Sequence, residues 1–293
     1  MARYPQDMQD SLKLMGPLRT LSPVLLAVPH AGRDYPNEIR TLSRLSNDDL
    51  SILEDRYADA LADAAIKSGH HALIATTARA WIDLNRAEDE MDSAWVLTAD
   101  RHKVPTRSTT KVRGGLGIIP TRLAAAGEIW KAPLTAADIQ RRINEHHRPY
   151  HQVLRDALHA RRQMFGVALL IDVHSMPPVR TEGSEPSPHI VIGDLFRRSA
   201  DPSLVDLMLS ECEAAGFITA YNAPYAGGAT LERHSRPALG IHAIQIEIDR
   251  RLYLDADAKE LGAGLPAMAQ LVGRLANVMQ RALLDQAMPL AAE

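Results

Sequence analysis

The stretch Val167–Pro178, Val-Ala-Leu-Leu-Ile-Asp-Val-His-Ser-Met-Pro-Pro, constrains this chain more than any other. An apolar run of strand length, bounded by Gly166 and two prolines, fits a strand buried on both faces of a sheet. It ends by delivering Asp172 and His174, polar side chains that packing alone does not require. Two residues apart, they point to the same face of a regular strand. In open α/β sheets, chemistry gathers at the carboxyl ends of the strands. A lone histidine in such a place is more often a core-edge residue satisfied by a neighbour, but His174 is not alone. Pro23–Val28 is a second apolar strand, and it runs straight into Pro29-His30-Ala31-Gly32. Two strands ending in histidine are the first sign of a metal site, because neutral imidazole is the commonest protein metal ligand.

Ser46 followed by Asp49 reads as a capping box opening a helix that runs to about Gly69. That helix carries Glu54 and Asp55, and helical periodicity does not choose between them: either can be a ligand or an acid complementing the helix dipole. Ala72–Ala75 is a short strand leading to Arg79. The alternation in Trp81-Ile82-Asp83-Leu84-Asn85-Arg86 predicts a further strand with Asn85 and Arg86 at its polar end, a donor-rich pair suited to holding a carboxylate. Val112–Arg122 contains Gly114-Gly115-Leu116-Gly117 without the Gly-Lys-Ser/Thr of a phosphate loop, so a flexible substrate loop is expected there. Thr135 with Asp138 starts a helical region to about Phe165 that Pro149 kinks or divides. Its His146, His147, His151 and His159 sit among arginines and read as a solvated face.

Beyond the central strand come a loop at Arg180–Pro188, a strand at Pro188–Gly193 and a helix capped by Asp201-Pro202 that ends at Gly216. Ala220–Gly228 reads as a strand end and turn, His242–Asp249 as the last strand, and Ala258–Gln286 as a closing helix. Glu247, in so apolar a strand, needs a partner or a job.

Composition sets limits on the function. A chain of 293 residues with 46% hydrophobic content can bury a full core. A net charge of −3 argues against a nucleic-acid binder. Arg101–Arg122 holds six Lys or Arg and no carboxylate, which suits either a solvated loop or a site for an anionic substrate. Cys212 is the only cysteine, which excludes an intrachain disulfide and a Cys-rich metal site. No signal peptide opens the sequence and no apolar stretch is long enough to span a bilayer, so a soluble, cytoplasmic protein that binds no membrane is expected. Residues 1–22 read as a peripheral extension and 23–293 as a single domain.

The polar ends therefore collect His30, Glu54 or Asp55, Arg79, Asn85, Arg86, His174 and Glu247. Two histidines and a carboxylate leave an open position on zinc, where bound water becomes a nucleophile, and a separate carboxylate serves as general base. Arginines and an asparagine nearby imply a substrate with a free carboxylate. Hydrolysis of an amide attached to an amino acid fits both.

Read together and in order, several motifs resemble the N-formylglutamate amidohydrolase family from Pro23 to about Leu254. They are Val28-Pro29-His30-Ala31-Gly32 with Tyr35-Pro36, Glu54-Asp55, Ile82-Asp83-Leu84-Asn85-Arg86, and Gly115-Leu116-Gly117 with Ile119-Pro120. Ile171–Pro177, Asn222–Gly228 and Gln245-Ile246-Glu247-Ile248 follow. The resemblance implies a three-layer αβα sandwich with a mixed, mainly parallel sheet, like zinc carboxypeptidases and aspartoacylases. It implies one zinc per chain on His30, Asp55 and His174, with Asp55 taken over Glu54 on the family pattern. It further implies a carboxylate clamp of Arg79, Asn85 and Arg86, with Glu247 as base. Arg113 is the candidate for a second substrate carboxylate. The activity implied is hydrolysis of N-formyl-L-glutamate to formate and L-glutamate, a step of histidine degradation. The alternatives are another N-acyl amino acid, a cell-wall amide, or a binding relative without turnover. The sequence departs from the wider zinc-hydrolase pattern at Arg33, where an His-x-x-Glu motif would place its acid, and it carries Asp249 where the resemblance leads one to expect Asn.

Overall fold

The computed structural model describes residues 11–180 and 186–287. The expected extension 1–22 lies partly outside the described residues, as does part of the loop at Arg180–Pro188. In chain order the strands are β1 (Leu12–Met15), β2 (Val24–Val28), β3 (His71–Ala75), β4 (Arg122–Leu123), β5 (Gly127–Glu128), β6 (Ala168–Met176), β7 (Ile190–Gly193), β8 (Thr219–Tyr221) and β9 (Ile241–Asp249). Seven of them form one sheet in the order β1-β3-β2-β6-β9-β7-β8, while β4 and β5 make a separate antiparallel pair. β2 runs parallel to β3 and β6, β6 runs parallel to β9, and β7 runs antiparallel to β9. This is an α/β fold with a mixed, mostly parallel sheet, as the strand pattern predicts. β2, β6 and β9 are buried at every position, which their Val, Leu and Ile content requires of strands covered on both faces.

The chain divides into two compact units. One comprises Pro29–Glu54, Ala75–Gln152 and the described residues before Leu14; the other comprises Leu14–Val28, Asp55–Ile74 and the described residues from Val153 onward. The first is built from the two long excursions that leave the chain after β2 and after β3. The second holds most of the sheet, and in it the helix Leu265–Ala287 packs on Asp63–Lys67 and Pro202–Ala214.

Several elements differ from the sequence expectation. The helix expected over 46–69 begins with the Ser46–Asp49 capping box but breaks into short pieces. Glu54 turns extended (φ −69°, ψ 144°), Tyr57 is left-handed (φ 58°), and helical turns resume only at Ala58–Leu61 and Asp63–Lys67. Glu54 and Asp55 are both buried in the break, so no helical face was available to choose between them. Trp81–Arg86 forms no strand. Its alternation reflects side chains packed individually: Trp81 against Trp130 edge-on at 6.2 Å, and beneath the Arg142 guanidinium at 3.5 Å. The Gly115–Pro120 loop is packed down, with Ile118 and Ile119 fully buried. A Cβ on Gly117 would lie 2.5 Å from the Glu90 carbonyl oxygen. The closing helix starts at Leu265, seven residues late, because the preceding segment lies against backbone. A Cβ on Gly264 would lie 2.0 Å from the Leu252 carbonyl oxygen.

Candidate metal centre and active site

The register of β6 and β9 pairs Asp172 with Gln245 and His174 with Glu247. Partners in a parallel ladder share a face, so four polar side chains form one patch on two buried strands. Within it, His174 Nε2 lies 3.1 Å from Asp172 Oδ2, and His174 Nδ1 lies 2.9 Å from Asp55 Oδ2. Burial opposes a charge on His174, but the carboxylates of Asp172 and Asp55 outweigh it and hold the imidazole well above its usual range. Glu247 Oε1 accepts a hydrogen bond from Gln245 Nε2 at 2.8 Å, which gives the carboxylate in this isoleucine-rich strand a polar neighbour. Arg250, just past β9, donates through Nη2 to Asp55 Oδ1 and through Nε to Ser175 Oγ, both at 3.1 Å. Sequence reasoning passed over Arg250; its position at a polar strand end was the available signal.

The excursions after β2 and β3 assemble a second cluster around Asp83, which is fully buried. Asp83 Oδ1 accepts from His30 Nε2 at 2.7 Å and from the Asn85 backbone N–H at 2.8 Å, while Oδ2 accepts from Arg79 Nε at 2.9 Å. Burial works against its charge, but Arg79 first, then His30 and Arg86, hold the carboxyl well below the usual range. Arg79 Nη1 also reaches the Leu53 carbonyl at 3.4 Å. Arg86 donates from Nε to the Leu116 carbonyl and from Nη1 to the Asn85 carbonyl, at 2.9 and 2.7 Å. The sequence reading named Asp83 only within a motif and gave it no role. The expectation of a solvated histidine face fails at two of four positions. His147 and His151 are buried, with Nε2 on the carbonyls of Arg86 and Leu84 at 2.8 and 2.9 Å. His146 is half-buried and His159 exposed. Arg113 is exposed, at the end of the short helix Thr110–Arg113, and its Nη2 donates to Thr110 Oγ1.

One ligand atom each from His30, Asp55 and His174, all buried, lies within 4.8 Å of the other two. This group can hold a metal ion. Its donor set, two imidazoles and one carboxylate, leaves a position open, as catalytic zinc sites do. Each imidazole also has a carboxylate partner, Asp83 for His30 and Asp172 for His174, the arrangement that fixes the orientation of a ligating histidine. The residues present therefore fit a divalent ion. Glu54, by contrast, accepts from the Tyr35 hydroxyl at 2.5 Å.

The sequence model of the N-formylglutamate amidohydrolase family matches residues 22–254. An N-formylglutamate deformylase from Pseudomonas putida is 29% identical over 240 residues, covering 80% of this chain and 82% of that protein. Another from Pseudomonas aeruginosa is 26% identical over 243 residues, covering 80% and 84%. The crystal structure of an N-formylglutamate amidohydrolase from Ralstonia eutropha JMP134 superposes with a TM-score of 0.85 at 32% identity, covering 93% of this chain and 99% of that one.

Proposed function

The chain belongs to the N-formylglutamate amidohydrolase family, and from that premise we propose that it hydrolyses N-formyl-L-glutamate to formate and L-glutamate with one zinc ion per chain. It is an amidohydrolase acting on an amide C–N bond. The observation that carries the proposal is the His30–Asp55–His174 group, backed by the Asp83-centred set of cationic donors. Zinc held by His30, Asp55 and His174 would supply a Lewis acid for the formyl oxygen and would lower the pKa of water.

The chain's own residues do the rest. Glu247, beside His174 in register, takes a proton from the attacking water as oxygen bonds to the formyl carbon. It returns that proton to the nitrogen as the C–N bond breaks, so formate and a free amine leave. Gln245 fixes one carboxylate oxygen of Glu247 during the transfer. Arg79 and Arg86 are held through Nε by Asp83 and by the Leu116 carbonyl, so their terminal nitrogens are oriented before substrate arrives. With Asn85 they receive the α-carboxylate, as fixed guanidinium donors suit a planar carboxylate. Arg113 is proposed for the distal carboxylate, and the histidine-degradation role and cytoplasmic setting follow from the proposed substrate.

The test is formate release from a panel of N-acyl amino acids, together with elemental analysis. N-formyl-L-glutamate is expected to give the highest kcat/KM, with about one zinc per chain that His174→Ala loses. A better N-acyl substrate, or full zinc in His174→Ala, overturns the proposal.

A further inference from the structure

We propose that His147 and His151 are positioning residues that lock the Leu84–Arg86 segment and so set its grip on a substrate carboxylate. The inference rests on the reading of Asn85 and Arg86 as part of that clamp. The segment is buried yet belongs to no ladder, so its backbone carbonyls need other partners. Side chains supply all three: His151 takes the Leu84 carbonyl, Arg86 Nη1 that of Asn85, and His147 that of Arg86. A carbonyl only accepts, so both imidazoles must carry their proton on Nε2. His147 and His151 are one helical turn apart, with ring centroids 4.3 Å from each other. They bracket Asn85 from a single surface.

The helix that carries them is built for this. Thr135 caps its first stretch, Ala136–Arg142, and a π-helical turn, Ile143–His147, precedes Arg148–Phe165. The inserted turn falls just before Pro149, whose ring cannot accept an uninterrupted ladder. His147 is the last residue of that turn, and π turns of this kind recur at functional sites. Asn85 and Arg86 are 5% and 9% exposed, and a shift of the backbone that carries them would disturb one of the two histidine contacts.

The experiment compares His147→Leu, His151→Leu, the double variant, His147→Gln, His151→Gln and the exposed His159→Leu as control. KM and kcat are measured for N-formyl-L-glutamate and its α-carboxamide, beside zinc content and amide hydrogen exchange over residues 84–87. The leucine variants should raise KM for the acid about tenfold or more, with kcat within about threefold and zinc unchanged, as expected when a charge-assisted contact loses its geometry. Discrimination between acid and amide should shrink by the same factor. Glutamine places an N–H close to where Nε2 stood and should restore most of the loss, while His159→Leu should change nothing. Leucine variants with normal KM, an equal loss on acid and amide, or glutamine no better than leucine each overturn the proposal. His151→Asn, polar but too short to reach the Leu84 carbonyl, carries the same test where a leucine variant does not fold. If the wild-type protein leaves N-formyl-L-glutamate untouched, the proposed function fails separately, and exchange then decides the inference. Faster exchange at 84–87 in the leucine variants, reversed by glutamine, supports the lock; unchanged exchange overturns it.

Discussion

His174 and Glu247 stand side by side on adjacent strands, whereas Asp83, Asn85 and Arg86 stand on a segment that no strand supports. The first pair is positioned by backbone: once β6 and β9 pair, every residue is carried to a fixed face and depth. The second group is positioned by side chains, chiefly one buried carboxylate and two histidines donating to carbonyls. A strand-borne residue can be replaced with little consequence beyond its own atoms, because the ladder holds without it. A residue in the Asp83 network holds others, so its replacement should spread. In the proposed mechanism the difference separates chemistry from preorganisation.

Replacing Glu247 by Gln tests the strand-borne side of that contrast and carries the largest expected effect. The amide has nearly the same shape and the ladder is intact, so fold, zinc and substrate binding should remain. Turnover should fall by roughly 10²–10⁴, the usual contribution of a positioned acid or base. A less stable protein turning over near the normal rate would show that Glu247 is a structural acid and that the proposed mechanism is wrong.

Asp83→Asn tests the other side. An asparagine cannot accept from His30, the Asn85 N–H and Arg79 Nε at once, since one of its two terminal atoms is a donor. Zinc affinity, read by competition with a chelator, should fall about 10–100-fold as His30 loses its carboxylate partner. The melting temperature should fall as well, because a buried arginine contact is broken. Unchanged affinity and stability in Asp83→Asn would erase the contrast between the two groups.

The smallest effect comes from the substrate. Converting the α-carboxylate of N-formyl-L-glutamate to a neutral amide should cost about tenfold or more in kcat/KM, since a charge-assisted contact contributes roughly 1.5–3 kcal/mol. Equal turnover of acid and amide would make Arg79, Asn85 and Arg86 a purely structural cluster.

What could be read in advance follows the same division. β2, β6 and β9 were legible because a strand covered on both faces announces itself as an apolar run, and polar residues at its end then stand out. The capping box at Ser46 and the Asp201-Pro202 helix start were legible because caps are local chemistry. Trp81–Arg86 misled because alternation also arises when each side chain of a loop finds its own pocket. His147 and His151 misled because an arginine-rich helix looks the same in sequence whether its imidazoles face water or a buried carbonyl. Arg250 carried no periodic signal at all.

The sequence by itself determined the α/β sheet, the strand ends that carry His30, His174 and Glu247, and the motif order that marks the family. Each of these depends on neighbours along the chain or on a period of two residues. Only the tertiary structure brought a ligand atom of Asp55 within 4.8 Å of those of His30 and His174, while Glu54 accepts from the Tyr35 hydroxyl. Adjacent residues in a helix break differ by a few backbone angles, and no local preference fixes those angles. Tertiary structure likewise supplied the hydrogen-bond partners of Asp83, His147 and His151, which lie 53, 61 and 67 residues away in sequence. A buried hydrogen bond of that span forms only where the packed core brings donor and acceptor together.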